Sequence, residues 1–383
     1  MQQFCATRAS ICLFEGYRNM RTGPHPLPIH IGMATSAWPV MSQAEGAKLA
    51  GEMAGGMEKM LRGIRKYQEH PYKPLQEPLP LVWEKGTVTV RLCKSDKPKG
   101  ALIIVPSLIN RSTILDLCAE RSFTRWMAGQ GLNVYLLDWG DVSKDRQQGN
   151  IDALVLERLV PALEFVAAEE GQPVAALGYC MGGTLLLGAA VHRKQVMNRL
   201  VMLAAPWDFH AGRQDLLNRI RFWAPATAPY VNAGRPLPVE AIQTLFASLD
   251  PVMSARKFAS FDDMDQSSDT ARLFIAVEDW LNDGVSLPAQ VAKHCIENWF
   301  FANEPGRGQW RVGGVTVDPA AIAVPVLVVT SKKDRLVEYE QAAKLANIIP
   351  GAKILSPGCG HIGMIAGANS ITDVWQPIAA FAK

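Results

Sequence analysis

The run Val174-Ala175-Ala176-Leu177-Gly178-Tyr179-Cys180-Met181-Gly182-Gly183, followed by Thr184 and an apolar stretch through Leu185, Leu186 and Ala189, sets a cysteine between two glycines where a strand passes into a helix. This is the context of a nucleophile elbow, with sulfur in place of the usual serine oxygen. The side chain at 180 must project from a strained turn above a sheet, and small residues at 178 and 182 let strand and helix close on that turn. The following helix presents its positive end to the sulfur and favours thiolate. The bland alternative is a glycine-rich turn with an inert cysteine.

Such a nucleophile needs a base, and elbow enzymes supply the acid and then the histidine later in the chain. Asp334 lies in a loop just past the apolar strand that begins at Val326, and His361 follows a further strand from Ala352 to Leu355 within Gly358-Cys359-Gly360-His361-Ile362-Gly363. His361 is expected to take the proton of Cys180 or of an incoming hydroxyl, with Asp334 fixing its tautomer and stabilising imidazolium. Alone, a loop aspartate is more often a turn residue and a lone histidine more often structural; their order behind the elbow reverses that reading. His192, His210 and His294 lack the post-strand position. Cys359 raises the alternative of redox pairing with Cys180, which a reducing compartment disfavours.

For the oxyanion hole the expected donors are the backbone N–H of Met181 and one from the loop Val105-Pro106-Ser107-Leu108-Ile109-Asn110, at about Leu108 or Ile109. The competing reading is that this loop only packs beneath other chain. Sulfur bears on the reaction. An acyl group passed from a thioester to cysteine keeps its transfer potential, whereas serine would lose much of it as an oxoester, so transfer to an alcohol is favoured over hydrolysis.

The elements that must position these groups follow from periodicity. Thr87–Leu92, Ala101–Val105, Val134–Leu137, Val174–Leu177, Leu200–Ala204 and Val326–Thr330 read as strands, with helical spacing from Ile151 to Val166 and after Cys180. Near-continuous apolar strands alternating with amphipathic helices predict an α/β fold whose sheet is mostly parallel and covered by helices. From Pro206 to about Val324 the alternation stops, and prolines, helical pieces and many aromatics take over. A segment that long is expected to be a mainly helical cap insertion over the sheet's carboxyl edge, keeping water from a thioester intermediate.

Ahead of the core, residues 1–23 look irregular, with Met20 and Met33 as alternative starts, and Pro24 to Pro28 should form a stiff extended lead-in. Between Glu45 and Tyr67, Met53, Met57, Met60, Ile64 and Tyr67 recur at three- and four-residue steps: an amphipathic helix whose stripe packs on its own protein, or else on a partner or a lipid-coated surface. The predicted division is an N-terminal extension (1–82), a core (83–205 and 325–383) and a cap (206–324).

With 383 residues, 48% of them hydrophobic and 20% charged, the chain exceeds what one core usually organises and is neither disordered nor coiled-coil. A net charge of +3 without a basic run sets nucleic-acid binding aside. Seven scattered cysteines with no CxxC pair argue against a disulfide framework or zinc site, and no stretch has the length of a signal peptide or membrane span. A cytoplasmic protein without metal or cofactor is expected.

Several segments, in order, resemble the polyhydroxyalkanoate synthases, in particular the short-chain-length type that works as a two-protein enzyme. They are Pro106 to Asn110 with Ile114-Leu115-Asp116-Leu117, Ser122 to Trp126, Leu137-Asp138-Trp139, the cysteine box Gly178 to Thr184, Trp207-Asp208-Phe209, Asp334-Arg335-Leu336-Val337 and Gly360-His361-Ile362-Gly363. The resemblance implies an α/β-hydrolase fold and an acyltransferase that loads a 3-hydroxyacyl group from coenzyme A on Cys180 and extends a polyester by attack of a 3-hydroxyl activated by His361, with Asp334 assisting. It also implies a second synthase subunit or homodimer as partner and a storage-granule surface as location. Pro106-Ser107 departs from the family's Pro-Trp. No motif marks the residues that would hold the coenzyme A phosphates; Arg111, Arg125 and Lys332 are candidates, against the ordinary reading of exposed charges on solvated loops. The other readings are an esterase, thioesterase or depolymerase using the same residues with water as acceptor, and a non-enzymatic granule binder acting through the stripe from Met53 to Tyr67.

Overall fold

The computed structural model describes residues 21–37, 46–74, 77–144 and 149–383. Cys5, Cys12 and Met20 lie outside these, as does the side chain of Met53. The chain forms two compact units, residues 1–74 with 250–282, and residues 75–249 with 283–383.

The second unit is built on an eight-stranded sheet: β1 Leu81–Lys85, β2 Val88–Cys93, β3 Gly100–Val105, β4 Leu132–Asp138, β5 Val174–Tyr179, β6 Met197–Leu203, β7 Val326–Val329 and β8 Lys353–Leu355. Their order is β1-β2-β4-β3-β5-β6-β7-β8, with β1/β2 and β2/β4 antiparallel and every other pair parallel. Every residue of β5 and β7 is buried, as a strand covered on both faces requires. The chain winds outward from β3 to β4 and then returns to the other side of β3 as β5. Ligands of open α/β sheets bind at such a reversal, beyond the carboxyl ends of the two strands. Those ends carry the loop from Pro106 to Asn110 and Cys180. Register brings the later loops to the same edge, since Tyr179 pairs with Leu203, Leu203 with Val329, and Val329 with Leu355.

β1 was not foreseen from sequence. It is an edge strand with no buried residue, and its apolar run is only Leu81-Val82-Trp83 before the charged pair Glu84-Lys85. The stretch from 206 to 324 is mainly helical, comprising Asp215–Asn232, Val239–Ala247, Met253–Asp262, Asp269–Asn282 and Ala289–His294 continued by a wider turn to Phe301. It also holds a small hairpin, Arg311–Val312 with Val315–Thr316. Gly313 and Gly314 (φ 54° and 80°) make its turn, a conformation that favours glycine at both positions. The aromatics of this stretch do not act together. Trp207, Trp299 and Trp310 are fully buried against one another and Phe209, whereas Phe222 is 76% exposed.

In the first unit the helix Gly46–Glu69 turns its stripe into that unit's own core: Met60, Ile64 and Tyr67 are buried with Phe258, Phe261, Ala271 and Ile275. The part of the stripe from Met60 to Tyr67 is thus covered within its own unit, as the first of the sequence readings has it. The extended lead-in is also corrected, because the helix Leu27–Ala37 already takes in Pro28, where the missing N–H costs nothing.

Candidate active site

Cys180 follows β5 directly, with φ 54° and ψ −129°. A non-glycine residue there carries roughly 1–3 kcal/mol of strain, which persists only where the surroundings enforce it. Here they do. The Cys180 N–H donates to the Leu203 carbonyl at 2.8 Å, extending the ladder past the strand's last residue, and the Cys180 carbonyl accepts from Gly183 N–H at 2.9 Å. A Cβ on Gly178 would lie 2.3 Å from Gly183 Cα, and one on Gly182 would lie 2.3 Å from the carbonyl oxygens of both Val105 and Pro106. The helix Met181–Ala190, all ten residues buried, starts directly behind the sulfur.

Asp334 and His361 meet as expected. The Asp334 side chain is 1% exposed; its Oδ2 lies 2.7 Å from His361 Nδ1, while Oδ1 accepts the N–H groups of Leu336 at 2.8 Å and Val337 at 3.0 Å. Hydrogen bonds to a charged acceptor contribute about 1.5–3 kcal/mol each, so this turn fixes the carboxylate before any ligand arrives. With Nδ1 engaged by Asp334, Nε2 is the nitrogen left for the sulfur. Burial by itself lowers the pKa of His361. The charges of Asp334 and Cys180 and the hydrogen bond with Asp334 oppose that and hold it well above the usual histidine value.

Tyr179 completes this surround and was missed, because it is the unspecified position of Gly-x-Cys. Its ring stacks on the His361 imidazole, with centroids 5.1 Å apart and planes at 26°, and its hydroxyl donates to the His361 carbonyl at 3.3 Å. Burial first, then the charges of Cys180, Asp334 and Cys359, push its phenol far above the ordinary value, so it stays a neutral donor. Burial also raises the thiol of Cys359.

Of the expected oxyanion donors, Met181 opens its helix, in the first turn whose N–H groups have no intrahelical acceptor. The Ile109 N–H donates to Ser107 Oγ at 3.2 Å, so a substrate oxygen would have to take that bond over. The loop is held by Trp139, whose Nε1 donates to the Pro106 carbonyl at 2.9 Å, and it ends at Asn110 with φ 69°. The other histidines have other roles: His192 bonds the Val312 carbonyl, His210 the Phe300 carbonyl, and His294 packs edge-on to Trp299. Among the phosphate candidates, Arg125 is paired with Asp116 at 2.9 Å, Arg111 lies 3.7 Å from Asp283, and Lys332 sits over the Tyr339 ring. Among the described residues the five cysteines are free thiols, no group of His, Cys, Asp or Glu is disposed to hold a metal ion, and no helix is long and apolar enough to cross a membrane.

Residues 127–368 match the family model of the alpha/beta hydrolase fold. Curated relatives include poly(3-hydroxyalkanoate) polymerase subunit PhaC of Haloferax mediterranei, 27% identical over 73% of this chain and 57% of that protein. The protein of the same name from Haloarcula marismortui is 28% identical over 78% of this chain and 64% of its own length. The chain thus spans roughly three fifths of these two relatives. Among solved structures, MenH from S. aureus is similar with a TM-score of 0.49 at 14% identity, covering 76% of this chain and 97% of that one.

Proposed function

Since the chain belongs to the alpha/beta hydrolase fold family, we propose that it is an acyltransferase of the polyhydroxyalkanoate synthase kind, polymerising 3-hydroxyacyl-CoA through a thioester on Cys180. The observation that carries this reading is a strained elbow cysteine at the start of a helix, together with a histidine, its side chain 10% exposed, that Asp334 holds through Nδ1 at 2.7 Å. The names of the curated relatives support the substrate class.

In the loading half, His361 takes the Cys180 proton and the thiolate attacks the thioester carbonyl. The Met181 N–H faces the developing oxyanion, the bond to the sulfur of coenzyme A breaks, and imidazolium protonates the departing thiolate. In the transfer half, His361 takes the proton of a 3-hydroxyl whose oxygen attacks the acyl-cysteine carbonyl. The bond to Cys180 breaks, an ester forms, and the proton returns to sulfur. Raised basicity suits His361 to both proton transfers, and Asp334 stabilises the imidazolium between them. The substrate enters without any further cofactor. A second synthase subunit or a homodimer, a cytoplasmic location and a granule surface belong to the same proposal.

Incubating the purified chain with 3-hydroxybutyryl-CoA tests it. Thiol release together with insoluble polyester is expected, both falling by several orders of magnitude in Cys180→Ala. Free 3-hydroxybutyrate without polymer would establish the hydrolytic alternative, and thiol release undiminished in Cys180→Ala would overturn both.

A further inference from the structure

Where the chain leaves β6, Gly212 and Gln214 both take left-handed backbone, with φ 78° and 62°. This turn points the N–H groups of Arg213 and Asp215 at one carboxylate, that of Glu338, on Oε2 and Oε1 respectively. Glu338 is only 3% exposed. Its carboxylate occupies the N-terminus of the 18-residue helix Asp215–Asn232, where unpaired N–H groups and the helix dipole favour an anion. A Cβ on Gly212 would lie 2.5 Å from Oε2, so the close approach needs glycine.

The helix Tyr339–Ile348, of which Glu338 is the N-cap, grips the same stretch at a second point, where the Gln341 carbonyl accepts the N–H groups of Trp207 and Asp208, both at 3.2 Å. The other side of this joint is Asp334. Val337 N–H holds Asp334 Oδ1, and the next residue, Glu338, holds the entry turn of the insertion. One short segment thus joins the insertion to the carboxylate that orients His361. The charged groups about the Glu338 carboxylate are Arg213 from the insertion and Glu340 from its own helix; those about His361 are Asp334 and Cys180, with the neutral phenol of Tyr179.

We propose that Glu338 is a positioning residue, which, by anchoring the entry turn of the insertion, keeps the Asp334 loop and through it His361 aligned on Cys180. The proposal rests on reading Cys180, His361 and Asp334 as the reacting set. Glu338 itself does not touch the reacting atoms.

The test is the rate of Cys180 alkylation by iodoacetamide between about pH 5 and pH 9, read by peptide mass on the full chain, with near-ultraviolet circular dichroism confirming the fold. In Glu338→Gln one N–H faces an amide donor instead of an oxygen, so the rate at about pH 6 should fall about tenfold, the equivalent of one pKa unit, while the rate at about pH 9 matches the parent. Gly212→Ala disturbs the same joint from the insertion side and should shift the profile in the same direction. A folded Glu338→Gln or Gly212→Ala protein with the parent's profile overturns the proposal. If His361→Ala also keeps the parent's profile, the reading of the reacting set has failed, and this proposal with it; a profile changed by His361→Ala alone removes only the role of Glu338.

Discussion

A methyl group at position 182 would meet two carbonyl oxygens at once, those of Val105 and Pro106. Both belong to backbone at the end of β3, where the first of the site's loops begins, and neither can turn aside as a side chain would. Gly182→Ala must therefore push the elbow helix away from the loop that carries Ile109. A shift on the order of 1 Å at a reacting centre costs about a hundredfold in rate, against about 1–3 kcal/mol for overpacking. The expected result is a folded protein whose thiol release from 3-hydroxybutyryl-CoA is about a hundredfold slower; parental turnover would show that the elbow tolerates the added volume. At this scale the strained turn at Cys180 and the pairing of Asp334 with His361 were legible, because glycine spacing and chain order are written locally. Tyr179 and Glu338 were not. A stacked ring and a buried carboxylate capping a distant helix depend on which loops the sheet brings together, and neither residue type advertises that partner in its neighbours.

At the level of elements, the tightest crossing in the first unit is at Gly63, where an added Cβ would fall 1.9 Å from the Phe258 carbonyl oxygen. The helices Gly46–Glu69 and Met253–Asp262 approach closely there, and Tyr67 meets the Phe258 ring at 5.9 Å one turn further on. Gly63→Ala should force the pair apart and lower stability by about 1–3 kcal/mol, read as a reduced urea midpoint; a change under about 0.5 kcal/mol would place the substitution with ordinary surface changes. The amphipathic stripe announced this helix but not its partner. The central strands were legible because burial on both faces makes them continuously apolar. The hairpin at Arg311–Thr316 had a usable signal, the Gly-Gly pair between two valines, and was lost among the helical pieces around it. Within the long helical run after Ile151, Pro161 has no N–H to offer the Glu157 carbonyl, which instead accepts from Arg158 Nη1 at 3.3 Å, and the turn widens over Leu154–Leu159. Spacing alone predicted the helix and passed over that distortion.

For the molecule as a whole, the division into an extension, a core and a cap follows linear order, whereas the compact units do not. Residues 250–282 share a core with residues 1–74. Phe258, Phe261 and Ile275 are all fully buried there. A chain beginning at Leu75 would leave these side chains without Met60, Ile64 and Tyr67 against them, and apolar faces exposed in this way promote association. Such a truncation should bind a hydrophobic dye and self-associate on gel filtration; a monomer that binds no dye would show that the segment can bury these residues by other means. Contacts between stretches so far apart leave no periodicity or composition shift for a sequence reading to find.

The same split has a temporal side. The helix Gly46–Glu69 is complete when it leaves the ribosome, but Phe258, which closes over its stripe, is made roughly 190 residues later. At about 5–20 residues per second that is an interval on the order of ten to forty seconds. Throughout it Met60, Ile64 and Tyr67 have only the nascent chain, or a chaperone, for company.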